Sequence, residues 1–198
     1  RFYTLSVLFS MLSFIFFIKL DKKKSTKRII LFAVTTLLSL LFNVFTIGLI
    51  ISYFIFNYFK NNNKKIYFLL LLITIIFLTL NIQHFLSITT YYHLQFEEVG
   101  GNINLKFFVG YFFNIFFGDK LFGAISLIFF LYSIFYLRKK ILVSDQLFLS
   151  YLIIFITYLM LISYALIISD ILFPRYFIFI VPFIIYSIVF FIFNHQIS

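Results

Sequence analysis

The residues best placed to do chemistry form a short polar segment, residues 169–176, between two long apolar runs, residues 147–168 and 177–193. An arginine beside an apolar run is costly unless it has a partner or a function. Its guanidinium carries a planar fork of donors that binds phosphate bidentately. Arg175 is therefore a candidate phosphate ligand. The alternative is that it pairs with Asp170 or a lipid headgroup and only anchors a helix end.

Other polar side chains are weaker candidates. Glu97 and Glu98 could bind a divalent cation or an acceptor, but adjacent residues point apart on a helix or strand, which favours a solvated loop. His84 and His93 match no known metal-ligand spacing and are interpreted as interfacial, while Asp119 suits a helix start. The chain has no cysteine, which excludes thiolate metal sites and a cysteine nucleophile.

The composition is that of a membrane protein. Hydrophobic residues make up 64% of the 198 residues and charged residues 11%, with a mean hydropathy of +1.12. Ordinary soluble domains are about half apolar and a quarter charged. We expect an all-α polytopic transmembrane bundle with about seven membrane helices and one interfacial helix. Residues 1–198 would form a single transmembrane domain.

The apolar runs predict where these helices lie. The predicted membrane segments are residues 2–18, 29–59, 66–82, 121–137, 147–168 and 176–193, and residues 107–117 form the predicted interfacial or re-entrant helix.

Residues 29–59 are too long for one upright helix and short for two. Basic residues flank both ends, and if both flanks lie on one side of the membrane the segment must cross twice. A hairpin of two short helices, turning near residues 43–48, is favoured over one long tilted helix.

The net charge of +10 comes largely from clusters between apolar runs. Lysine and arginine mark cytoplasmic loops, so residues 19–28, 60–65 and 138–140 are predicted to be cytoplasmic. That pattern argues against nucleic acid as a partner and favours contact with anionic lipid headgroups. It predicts that Arg1, Asp119, Asp170 and Arg175 lie at the outer face.

A family resemblance rests on two short motifs. Phe173-Pro174-Arg175-Tyr176, followed by an apolar helix containing Pro182, resembles the C-terminal "RY…P" segment of GT-C membrane glycosyltransferases. Arg1-Phe2-Tyr3-Thr4-Leu5 is similar to their "R-x-Y-x-L" element. The group includes protein O-mannosyltransferases and the bacterial aminoarabinose transferase for lipid A. The order of spans, outer loop and surface helix also resembles the group across the whole chain.

The resemblance implies an enzyme that moves a sugar from a polyprenyl-phosphate-linked donor to a hydroxyl of a lipid, glycan or protein acceptor. Arg175, Tyr176, Arg1 and Tyr3 would bind the donor phosphate, in a multi-pass protein of the cell membrane. The group's essential acid lies in a first outer loop, and many members carry a histidine where this chain has Asn43. The chain begins at Arg1 without Met, so we expect it to be part of a longer protein. No catalytic base is assigned within it, and no cofactor is certain beyond a potential divalent cation.

Two alternatives remain. A transporter or lipid flippase would place charges near the bilayer midplane in corresponding halves, whereas the charges here lie at the ends of the apolar runs. An O-antigen polymerase or ligase would favour a long outer loop with several arginines, and residues 83–106 contain none.

Overall fold

A computed structural model describes residues 3–22, 25–61, 63–95, 120–167 and 178–195. These residues are helical apart from short connections, which confirms the all-α prediction for the described part of the chain. Among the described residues there are seven α-helices: α1 Tyr3–Lys22, α2 Thr26–Phe42, α3 Ile47–Phe56, α4 Lys64–Gln95, α5 Lys120–Val143, α6 Asp145–Ile167 and α7 Val181–His195. Short 3-10 helices at Val44–Thr46 and Ile178–Ile180 precede α3 and α7, and a π-helical turn at Asn57–Asn61 follows α3.

The break between α2 and α3 is set by Asn43. Its backbone is extended and its N–H donates to Ser39 O, which ends α2. Its side-chain Oδ1 then accepts from Phe45 N at 3.1 Å, and the Thr46 hydroxyl donates to Asn43 O at 2.8 Å. Asparagine favours such positions because its side chain replaces backbone hydrogen bonds.

The prediction that residues 29–59 form two short helices with a turn near residues 43–48 is confirmed, and the double crossing of a membrane stays a prediction. The rings of Phe32, near the start of α2, and Tyr53, near the end of α3, have centroids 5.4 Å apart. A continuous helix would separate these residues by about 30 Å. The chain therefore turns back at Asn43, so that the later part of α3 lies beside the start of α2.

Three predicted loop boundaries are wrong. The first basic segment is mostly helical, because α1 continues to Lys22 and α2 begins at Thr26. Residues 138–140, predicted as a loop, lie inside α5, which ends at Val143. The polar stretch predicted at residues 83–106 is helical as far as Gln95, where α4 ends. Lysine, arginine and glutamine are good helix formers, so a change in polarity does not end a helix.

Large aromatic side chains form the core. Phe17 stacks on Tyr53 with centroids 4.3 Å apart, and both are fully buried. Phe17 also contacts Phe32 at 5.4 Å and Phe56 at 5.7 Å. This cluster joins α1, α2 and α3 near the basic ends of those helices.

Two described helices contain an 18-residue stretch long and apolar enough to cross a membrane, Tyr3–Leu20 and Lys64–Asn81. Four shorter apolar helical stretches accompany them: Val44–Lys60, Leu121–Tyr136, Asp145–Met160 and Ile178–Phe193. Length and composition alone do not establish a crossing, since a buried helix of a soluble protein passes the same test. The predicted interfacial helix, residues 107–117, lies outside the described residues.

The basic segments converge on one end of the bundle. Phe17 and Phe56 place the end of α1 beside the end of α3. Lys60, in the turn after α3, lies 3.4 Å from the Asp145 carboxylate at the start of α6. The three segments predicted to be cytoplasmic therefore share one end, which we call the basic end. It is defined by residues 19–28, 60–65 and 138–145.

Candidate functional site

Only one of the four predicted phosphate-binding residues is among those the structure describes. Tyr3 begins α1 and is half-buried. Arg1, Arg175 and Tyr176 lie outside the described residues, as do Glu97, Glu98, Asp119 and Asp170.

The elements that border the Arg175 segment are described. α6 starts at the basic end with Asp145 and ends at Ile167, and the chain resumes in the 3-10 turn Ile178–Ile180. Phe179 and Ile180 in that turn are fully buried, and the turn packs on α1. The segment that carries Arg175 thus connects two helix ends that lie away from the basic end.

α1 and α7 run in the same direction, because α1 ends at the basic end and the later part of α7 packs there through Phe191 on Leu147. Phe14 of α1 meets Phe183 of α7 edge to face at 5.2 Å, and it also contacts Tyr186 one turn further along α7 at 6.4 Å. The two helices begin at the same end of the bundle. Tyr3 and the chain entering α7 are therefore brought to one end, opposite the basic end.

A buried hydroxyl cluster, missed by the sequence reasoning, joins three helices. Ser13 Oγ on α1 lies 2.7 Å from Thr36 Oγ1 on α2 and 3.0 Å from Tyr53 Oη on α3. All three side chains are fully buried. The recurrence of Ser6, Ser10 and Ser13 along an apolar helix was the available signal, because serine at helical spacing marks a face that packs against another helix.

A second hydroxyl cluster joins the last three helices. Ser133 Oγ on α5 lies 2.6 Å from Tyr151 Oη on α6, and the Ser187 side chain on α7 lies near the same tyrosine hydroxyl. Near the basic end, Tyr186 Oη donates to Gln146 Oε1 at 3.1 Å. Each cluster thus pairs a serine hydroxyl on one helix with a tyrosine hydroxyl on another.

Neither cluster has the groups needed for acid–base or nucleophilic chemistry. The buried polar residues of the described part are serine, threonine and asparagine, with no carboxylate, lysine, arginine or histidine among them. A buried hydroxyl needs an adjacent base to act as a nucleophile. We therefore assign the clusters to helix association.

Asn43 is buried and forms the α2–α3 corner. Its described contacts serve the turn. The described residues also contain no group of three or more metal-ligating side chains that could hold an ion. The predicted cation candidates Glu97 and Glu98 fall outside that search.

Comparison of the chain with known protein families, curated proteins and solved structures finds no match.

Proposed function

We propose that this chain belongs to a membrane-embedded glycosyltransferase. It would transfer a sugar from a polyprenyl-phosphate-linked donor to an acceptor hydroxyl on the extracytoplasmic face. Arg175 and Tyr176, with Arg1 and Tyr3, would bind the donor phosphate. The proposal rests on the motif resemblance and on the arrangement of the helix ends in the bundle.

The exposed apolar surface supports a membrane location. The apolar stretch Lys64–Asn81 of α4 has only 22% of its residues buried. Phe68, Leu71 and Leu80 on that helix are between 51% and 68% exposed. Apolar surface that extends along a whole helix is unfavourable in water and needs a cover. Lipid tails are the cover that fits a helix of this length.

The observation that carries the proposal is the separation of the two ends of the bundle. The basic residues gather at one end, through Phe17–Phe56 and Lys60–Asp145. The helix ends that flank Arg175, and Tyr3, belong to the other. Because basic segments stay on the cytoplasmic side, the proposed phosphate ligands would meet an outward-facing donor. The donor's polyprenyl tail would remain in the bilayer.

Arg175 would act on the charge that the reaction creates. As the acceptor oxygen attacks the anomeric carbon, the bond from that carbon to the phosphate oxygen breaks and negative charge grows on the leaving phosphate. A guanidinium positioned there lowers the free energy of that transition state more than that of the ground state. The proton of the acceptor hydroxyl needs a general base, which we do not assign to a residue of this chain.

The buried core disfavours transport as the function. A transporter needs charged or interrupted elements near the bilayer midplane. The described core instead holds aromatic and aliphatic side chains with paired hydroxyls. Within the described ranges the lysines, arginines and acids lie at or near helix ends.

The test is substitution of Arg175 in the full-length protein. Arg175→Ala should lower sugar transfer from a polyprenyl-phosphate-sugar donor by about 10²–10³-fold, as expected for loss of one oriented charge donor. Arg175→Lys should restore only part of the rate, because an ammonium cannot form the bidentate pair. Transfer is measured with radiolabelled donor in detergent solution.

Arg138→Ala is the matched control, because it removes one arginine from the basic end. It should retain wild-type transfer. Wild-type turnover by Arg175→Ala, with normal membrane insertion, would remove Arg175 from the mechanism.

A further inference from the structure

The formal charge of the chain is concentrated at the basic end. Twelve of the sixteen basic residues and two of the six acidic residues belong to residues 19–28, 60–65 and 138–145. These segments therefore hold the whole net charge of +10, and the rest of the chain is balanced. A single-sign field of this size attracts anions.

Several of these cations are directed to solvent. Lys19, Lys27, Lys64 and Lys65 are all exposed. Arg28 is used differently, since its Nη1 donates to Lys19 O at 3.0 Å, close to the last carbonyls of α1. The ion pair between Lys60 and Asp145 uses the carboxylate of Asp145. The exposed lysines thus form a positive surface on the ends of α1, α2 and α4.

The placement of Lys64 and Lys65 does not favour folding. They occupy the first turn of α4, where the backbone amides already present a partial positive charge, and no acidic residue accompanies them. A cation at a helix N-terminus is repelled by this partial charge and disfavours the helix. Their charge is better accounted for by an anion outside the bundle.

Exposed aromatic rings beside these lysines favour a lipid headgroup as the anion. Tyr58 and Phe59, in the π-helical turn before α4, are 70% and 69% exposed and meet edge to face at 5.4 Å. Phe68, one turn beyond Lys65, is 68% exposed. Exposed aromatic rings between lysines and an apolar helix face are typical of the headgroup layer of a bilayer.

We propose that the basic end binds the headgroups of anionic phospholipids in the leaflet that faces it. Lys64 and Lys65 contact the phosphates, while Tyr58 and Phe59 insert at the boundary between headgroups and acyl chains. The proposal rests on the membrane location given under the proposed function, and not on the sugar-transfer chemistry. It adds a specific lipid class as a partner.

The test compares lipid preference in mixed bilayers. The full-length protein is reconstituted in phosphatidylcholine vesicles containing spin-labelled phosphatidylglycerol or spin-labelled phosphatidylcholine, and the relative association constant is measured by electron paramagnetic resonance. The wild type should prefer phosphatidylglycerol. Each lysine near an anionic surface contributes up to about fivefold, so Lys64→Gln/Lys65→Gln should lower the preference by up to about 25-fold. High salt should abolish it.

The matched control removes two lysines from outside the basic end, Lys106→Gln/Lys120→Gln, and should leave the preference unchanged. Loss of folding does not explain a positive result, because removing cations from the first turn of α4 favours the helix. Equal association of the two lipids with the wild type would overturn the proposal. An equal loss in the control pair would overturn it as well.

Co-flotation of the protein with pure phosphatidylcholine vesicles distinguishes a failure of the lipid proposal from a failure of the proposed membrane location. A protein that does not float with them is not membrane-embedded, and the membrane location itself is then wrong. A protein that floats but shows no preference contradicts only the lipid proposal. Sugar transfer in detergent is independent of both outcomes.

Discussion

Ser13 makes two side-chain hydrogen bonds inside an apolar interior, one to Thr36 at 2.7 Å and one to Tyr53 at 3.0 Å. Thr36 and Tyr53 differ in how far their hydroxyls depend on Ser13 for a hydrogen bond. The Thr36 hydroxyl also donates to Phe32 O at 2.7 Å, whereas Ser13 is the described partner of the Tyr53 hydroxyl. A buried hydroxyl left without a partner costs more than a hydrogen bond gains, because its desolvation is not repaid.

This difference predicts which of two substitutions lowers the free energy of unfolding more. Ser13→Ala should lower the free energy of unfolding by about 1–3 kcal/mol because it leaves the Tyr53 hydroxyl buried and unpaired, and Tyr53→Phe should cost about 0.5–1.5 kcal/mol. Both are measured by chemical unfolding in detergent. The double variant should be more stable than the sum of the two losses implies. Additive losses would contradict a direct bond between the two side chains.

Gly48 allows α3 and α6 to approach each other closely. A Cβ at this position would lie 2.7 Å from Thr157 Oγ1 and 3.4 Å from Thr157 Cα. The Thr157 hydroxyl is buried without a hydrogen-bond partner among the described residues. The glycine therefore serves close packing between two helices, at a position where alanine would otherwise favour a helix by about 1 kcal/mol.

Gly48→Ala should destabilise the protein by about 1–3 kcal/mol, since the overlap with Thr157 outweighs the gain in helix propensity. Thr157→Ala should be nearly neutral, because its hydroxyl makes no described hydrogen bond. In Gly48→Ala/Thr157→Ala the shortest overlap is gone, so much of the stability should return. Thermal unfolding in detergent measures all three variants. A double variant no more stable than Gly48→Ala would show that the backbone contact, and not the hydroxyl, limits the packing.

At the scale of the whole molecule, polarity is arranged along the bundle axis. The contact between Lys60 and Asp145 brings together two segments separated by 85 positions. At side-chain exposures of 29% and 49%, this pair adds little stability. The pair shows that the α3–α4 and α5–α6 connections lie at the same end of the bundle. α4 ends at the opposite end of the bundle, and α5 begins there.

This arrangement predicts the sidedness of two positions in the membrane. The chain has no cysteine, so a single introduced thiol is the only site for a maleimide. Arg138→Cys should react with a membrane-impermeant maleimide only after permeabilisation, and Glu97→Cys should react in intact cells. The parent protein without the introduced thiol is the background control. Labelling of Arg138→Cys from outside would reverse the proposed topology and place Arg175 on the wrong side for an extracytoplasmic donor.

Local signals in the sequence determined the helices of this protein. The apolar runs predicted both ends of α6 and the end of α7 to within two residues, and the length and basic flanks of residues 29–59 predicted a corner near residues 43–48. Those features act within one turn of the chain, through propensity and side-chain capping. The ends at Lys22, Gln95 and Val143 were missed because charged and polar residues can continue a helix into water.

Only the tertiary structure decided which faces meet. The helices are apolar on nearly every side, so the sequence shows no stripe that singles out Phe17 or Tyr53 as core residues. Their selection depends on how large rings from α1, α2 and α3 fill a common space, which is a property of several segments at once. The same holds for Ser13, whose partners lie 23 and 40 positions away. Residue types set where each helix begins and ends, and close packing between distant segments set which side chains became the interior.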